Sequence, residues 1–177
     1  MSKALVFVAL AVALVVALVV ALAACGGASS SNVDASNSFL AFNPAFAPFR
    51  TWTSFHSDGP VDDGTQPAIV LGPRTQYINK IPPAGSTEFS IGTIIVEARD
   101  NGKIFAMVKR GGNFNAAGTI NWENFELTEN PVQYVWRGLG PPLGDTYGGD
   151  PNGCNMCHVQ CVANDYICSP KLQLTGF

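Results

Sequence analysis

The chain has 177 residues, of which only 13% are charged and 47% hydrophobic, with 18 Gly and 12 Pro. A long helical bundle or coiled coil is excluded, since such chains are rich in Glu, Lys and Ala and poor in Gly and Pro. A net charge of −3 leaves no basic surface for phosphate backbones and excludes nucleic acid as a partner, while eleven Phe, three Trp and four Tyr exclude a disordered chain.

Lys3 precedes an unbroken apolar run from Ala4 to Ala24, which ends in Leu22-Ala23-Ala24-Cys25. One positive charge, an apolar core and small residues before a cleavage point describe a secretory signal over residues 1–24. A cysteine directly after Leu-Ala-Ala also resembles the bacterial lipobox, in which the Cys25 thiol is acylated and becomes a lipid anchor. The competing reading is a retained membrane-spanning helix, since about 20 apolar residues can cross a bilayer. Residues 25–38 form a polar Gly/Ser/Asn-rich tether with no aromatic residue, which favours the lipoprotein reading. The expected compartment is the oxidising periplasmic side of a bacterial membrane, where disulfides persist.

The folded domain is expected over residues 39–177. Phe39 to Phe49 holds four Phe and two Pro and is too Pro-broken for one continuous helix. A turn-rich stretch from His56 to Gln66 follows. Strands are predicted at Pro67–Leu71, Gln76–Ile81, Gly92–Ala98, Lys103–Lys109, Ile120–Leu127 and Val132–Trp136, from their β-branched and aromatic content. Asp100-Asn101-Gly102 is a hairpin-turn signal between two of them. Lys103–Lys109 is apolar at odd and even positions and predicts a strand covered on both faces. Together these predict a mainly β (α+β) fold: an antiparallel sheet with a few helices and one short helix near the C-terminus.

That helix carries Cys154-Asn155-Met156-Cys157-His158, the Cys-x-x-Cys-His attachment sequence of c-type haem. Two thiols three positions apart lie on one side of a helical turn and can bond both vinyl groups of one porphyrin. The adjacent imidazole of His158 then reaches the iron as an axial ligand. Two other uses of the motif compete: a redox-active thiol pair, or two zinc ligands completed by Cys161 and Cys168. Cys161 and Cys168 are read as a structural disulfide, against two thiols. Seven residues of continuous helix would hold their Cα atoms about 10 Å apart, and a disulfide tolerates about 7 Å at most. Pairing therefore needs a turn, which Asn164-Asp165 can supply.

No obvious side chain fills the second face of such an iron. None of the 19 residues after His158 is Met, and His56, the only other histidine, lies in a polar turn-rich stretch. Met107 remains, as a strand-packing residue or as a sixth ligand. An open position binds small molecules, whereas a filled one passes electrons.

The arrangement resembles the cytochrome P-460 family, which includes the cytochromes c′-beta. The resemblance rests on Phe49-Arg50-Thr51-Trp52, Tyr77-Ile78-Asn79, Gly92-Thr93-Ile94-Ile95-Val96, Met107-Val108-Lys109-Arg110, Trp122 and the late Cys154-x-x-Cys157-His158. These pieces occur in the family's order over about residues 49 to 170. The family implies an antiparallel β fold, usually a homodimer, with one covalent haem c that is five-coordinate through the motif histidine. It implies hydroxylamine oxidation or nitric oxide binding, with a redox partner protein where electrons leave. Its hydroxylamine-oxidising members carry a haem-linked lysine after the Gly-Thr-x-x-Val strand, where this chain has Glu97. A carboxylate cannot form that amine link. Period-2 alternation places Thr93, Ile95 and Glu97 on one face, so Glu97 is read either as a proton-handling group beside the haem or as an exposed acid paired with Arg99 or Lys109. Phe89 and Phe105 are candidates for the distal wall, with plain core packing as the alternative.

Overall fold

The computed structural model describes residues 38–58, 61–62, 70–141 and 153–177. The expected signal over 1–24, the Cys25 lipidation site and the tether up to residue 37 lie outside the described residues. Ser38 already belongs to the folded part: it bridges Gly111, and the Phe39 amide donates to the Arg110 carbonyl at 2.7 Å. Among the described residues no helix is long and apolar enough to cross a membrane.

The fold is a six-stranded antiparallel sheet with two short helices, one of them near the C-terminus. Helix α1 is a single turn, Asn43–Phe46, opened by Pro44 and followed by a 3-10 turn at Phe49–Thr51. The prolines of this segment cut it into short pieces, as their missing amide donors require. The strands are β1 (Thr53–Ser57), β2 (Val61–Asp62), β3 (Val70–Leu71), β4 (Arg74–Ile78), β5 (Ile94–Arg99), β6 (Ile104–Lys109), β7 (Trp122–Glu129) and β8 (Val132–Gly138). Their order in the main sheet is β1-β4-β5-β6-β7-β8, and β2 pairs only with β3. Gly102, at φ +82°, closes the β5–β6 turn in a conformation that L residues with a Cβ avoid.

Both faces of the sheet are covered. On one face Val96, Ala106, Val108 and Phe125 pack under the N-terminal segment, with Phe46 and Phe49 fully buried. The Phe46 and Phe125 ring centroids lie 5.0 Å apart. On the other face Ile78, Ile95, Met107 and Trp122 pack with Ile167, Leu172 and Leu174 of the C-terminal segment. β6 lies between the two cores, which is why its odd and even positions are both apolar.

One cross-strand row on that second face runs Gln76–Glu97–Phe105–Glu126–Trp136, each residue opposite the next. The row ends correctly only because of a register irregularity at Glu126/Leu127. Leu127 pairs with Tyr134 while Glu126 pairs with Trp136, leaving Val135 as the extra residue. Such a bulge reverses the alternation. Tyr134 packs against the first core, and Trp136, two residues on, faces the second side.

Helix α2 (Gly153–His158) runs directly into a 3-10 stretch, Val159–Asn164, whose end is turned by Asp165 at φ 50°. Cys161 and Cys168 form a disulfide with Cα atoms 5.4 Å apart. The turn at Asn164-Asp165 supplies the reversal that a continuous helix would not.

Candidate functional site

A cavity of about 330 Å³ opens between the second face of the sheet and the C-terminal segment. Its floor is Ile95 and Glu97 of β5, Phe105 and Met107 of β6, Asn124 of β7 and Trp136 of β8. Its roof is Cys154, Cys157 and His158 of α2, with Ile167 and Cys168 beyond. The volume lies within the usual range for ligand and cofactor sites, and the lining is mostly apolar with a few polar groups.

The three motif side chains share one side of α2 because positions i, i+3 and i+4 of a helix do. Met156 lies elsewhere, at 63% exposure. Asn155, between the two cysteines, is buried and anchors the helix. Its amide oxygen accepts from Asn115 Nδ2 at 2.8 Å and from the Thr119 hydroxyl and amide at 3.2 and 3.3 Å, and its nitrogen donates to Asn115 Oδ1 at 3.1 Å. The backbone of Gly118 passes so close that a Cβ there would overlap the Asn155 amide. Nothing in the spacing of the motif announces this anchor, because its middle positions are open to many residues.

His158 has its Nδ1 2.8 Å from the Tyr166 carbonyl oxygen. A carbonyl only accepts, so Nδ1 carries the proton and the ligand lone pair falls to Nε2. This is the arrangement that orients metal-bound histidines and raises their basicity. Cys154 and Cys157 are thiols. Burial first, and the neighbouring Cys157 second, push the Cys154 thiol up to about 11. A redox-active cysteine is instead lowered towards its thiolate by its surroundings. The disulfide takes up Cys161 and Cys168, the two ligands on which the zinc reading relied. Among the described residues no group of three or more His, Cys, Asp or Glu is placed to hold a metal ion. Thiols at i and i+3, an imidazole with its lone pair on Nε2 and an apolar floor opposite fit a covalently held porphyrin.

Glu97 lines the cavity and is ion-paired at the same time, so its two readings are not exclusive. Its carboxylate meets Arg99 Nε at 2.7 Å and the buried Arg74 Nε at 3.1 Å, and accepts from Gln76 Nε2 at 3.3 Å. Gln76 is in turn held by the Ser169 hydroxyl at 2.6 Å. Lys109, the other cation considered for Glu97, belongs to Asp165 instead, at 2.6 and 2.7 Å in a buried pair. Glu126, beside Phe105 in the cross-strand row, is satisfied by Lys103 at 2.6 Å and the Trp136 indole at 2.9 Å.

Phe105 lies in the cavity wall with the Arg99 guanidinium 4.7 Å above its ring. Phe89 does not line the cavity. It is buried edge-on against Trp122, at 5.8 Å between centroids, with its amide donating to Asp165 Oδ2 at 2.9 Å. Its place is in the core that supports the C-terminal segment. Met107 lines the cavity and is also packed in that core. His56 is outside, half exposed, and bonded to Thr75 and Asp58.

No family model matches the chain, and neither a curated protein nor a solved structure is found to match it.

Proposed function

We propose that the chain is an exported c-type haem protein of the cytochrome P-460 kind, anchored through Cys25 on the periplasmic side of a bacterial membrane. Cys154 and Cys157 would hold one haem c as thioethers, His158 would supply a ligand to its iron, and that iron would take up a small nitrogen ligand such as nitric oxide or hydroxylamine. The observation that carries this reading is the convergence of two thiols and one oriented imidazole from six residues of helix on a single apolar cavity. When bound, the haem supplies an iron that takes up the ligand or exchanges an electron with it.

The chain's own residues have defined tasks. Asn155 fixes the height of α2 over the sheet, and the Tyr166 carbonyl fixes the ring of His158. Ile95, Phe105 and Trp136 exclude water from the far side. Glu97, held by Arg74, Arg99 and Gln76, keeps a carboxylate at the cavity edge. A redox partner protein and a second copy of the chain are further parts of the proposal.

The test is expression of the full chain in cells able to attach haem, followed by mass measurement and spectroscopy. We expect a mass increased by one macrocycle, a high-spin five-coordinate ferrous spectrum and tight nitric oxide binding. An unmodified polypeptide would refute the reading.

The place of Met107 in the cavity floor favours one alternative, a six-coordinate electron-transfer cytochrome. That alternative predicts a low-spin spectrum in both oxidation states, abolished by Met107→Ala. Steady-state assay with an electron acceptor decides whether hydroxylamine is turned over, an activity for which Glu97 replaces the family's cross-linking lysine.

A further inference from the structure

The main-chain loop from Cys161 to Cys168 is closed more tightly than a connection needs to be. Its ends are joined by the disulfide, and the Tyr166 amide donates to the Cys161 carbonyl at 2.9 Å. Asp165 is clamped by Lys109 at 2.6 and 2.7 Å and by the Phe89 amide at 2.9 Å. The Asn164 side chain donates to the Ile167 and Leu172 carbonyls at 2.8 and 2.9 Å. Within these restraints two successive residues with side chains, Asp165 and Tyr166, take left-handed backbone conformations at φ 50° and 68°. Such a pair is unfavourable and persists only where its surroundings over-determine it. The product of this conformation is the direction of one carbonyl: that of Tyr166, turned back onto His158 Nδ1.

We propose that the 161–168 loop, fastened by Cys161–Cys168 and by Lys109–Asp165, is a positioning device that holds the His158 imidazole in its Nδ1–H tautomer, with the lone pair on Nε2. The residues act through the Tyr166 carbonyl and touch no reacting atom themselves. The consequence at an iron rests on the haem reading, whereas the tautomer is a property of the chain alone. With the loop loosened, the carbonyl withdraws, the Nε2–H form gains population, and any ligand bond made by His158 weakens through lower imidazole basicity.

The experiment uses the full chain in haem-free and haem-loaded forms, with two variants: Cys161→Ala combined with Cys168→Ala, and Asp165→Asn. Nitrogen-15 NMR of the haem-free protein reads the His158 tautomer, with exposed His56 as internal reference. The Nδ1–H form should dominate in the parent, and the ratio should fall by about three- to tenfold in each variant, the factor that one net hydrogen bond is worth. In the haem-loaded protein the iron–histidine stretching band should move to lower frequency in both variants. An unchanged tautomer ratio with an unchanged band would overturn the proposal and leave the loop a plain structural staple. If the double alanine variant loses its fold by circular dichroism, Asp165→Asn decides alone, since it preserves the side chain's size. If no macrocycle is ever attached, the haem reading fails while the tautomer measurement still decides this one.

Discussion

Asn155 and Gly118 are a matched pair: the amide fills the space that the missing side chain leaves. Gly118→Ala should therefore overpack the junction between the β6–β7 loop and α2, costing about 1–3 kcal/mol in urea denaturation. Asn155→Ala removes the amide and strands Asn115 and Thr119, with a loss of about 2 kcal/mol expected in the same measurement. Lys109→Met leaves the Asp165 carboxylate buried without its cation and should cost about 3–5 kcal/mol, and the paired change with Asp165→Leu should recover much of that. The Cys154 thiol makes a prediction about pH in the haem-free protein. Its folded value of about 11 is raised above an ordinary 9.0, so the unfolded chain releases this proton first. Stability from this group is complete below pH 9 and is lost as pH rises from there to 11, by about 3 kcal/mol at most. A Cys154→Ser variant should show a flatter stability profile across that window.

At the scale of the elements, β8 is the most informative strand. Its bulge at Val135, 58% exposed, is what delivers Trp136 to the cavity while Tyr134 stays with the opposite core. Deleting Val135 removes the extra residue and leaves Trp136 directly after Tyr134, so plain alternation alone should keep the indole opposite Glu126, with tryptophan emission little changed. Strands β5, β6 and most of β7 and β8 were legible because β-branched runs and the Asp100-Asn101-Gly102 turn are local signals. β4 begins earlier than its sequence suggests, at Arg74, because a buried arginine paired with Glu97 reads as polar until its partner is known. β1 was missed for a similar reason. Thr53-Ser54-Phe55-His56-Ser57 is a mostly exposed edge strand with little apolar content, and its pairing with β4 is a long-range fact.

For the molecule as a whole, two features of the candidate site were legible and the rest was not. The motif spacing names Cys154, Cys157 and His158, and a period of two puts Glu97 on the face it occupies. What lies opposite the motif depends on sheet order, which no local pattern encodes. Phe105 and Phe89 look alike in sequence, yet one lines the cavity and the other supports Trp122. The buried salt bridge between Lys109 and Asp165 joins positions 56 residues apart, again beyond any local reading.

The roof of the cavity comes from residues 153–168 and its floor from strands that precede them in the chain. On the proposed reading, a rigid, planar group as broad as a porphyrin would have to be welded to Cys154 and Cys157 while that roof is still raised. Maturation on the proposed reading thus has an order: export, ligation of the macrocycle to an undocked tail, then closure of the tail over the sheet. Folded apoprotein, its roof docked through Asn155 and Asp165, should be a poor substrate for the ligating machinery in a pulse-chase assay, and the unfolded chain a good one.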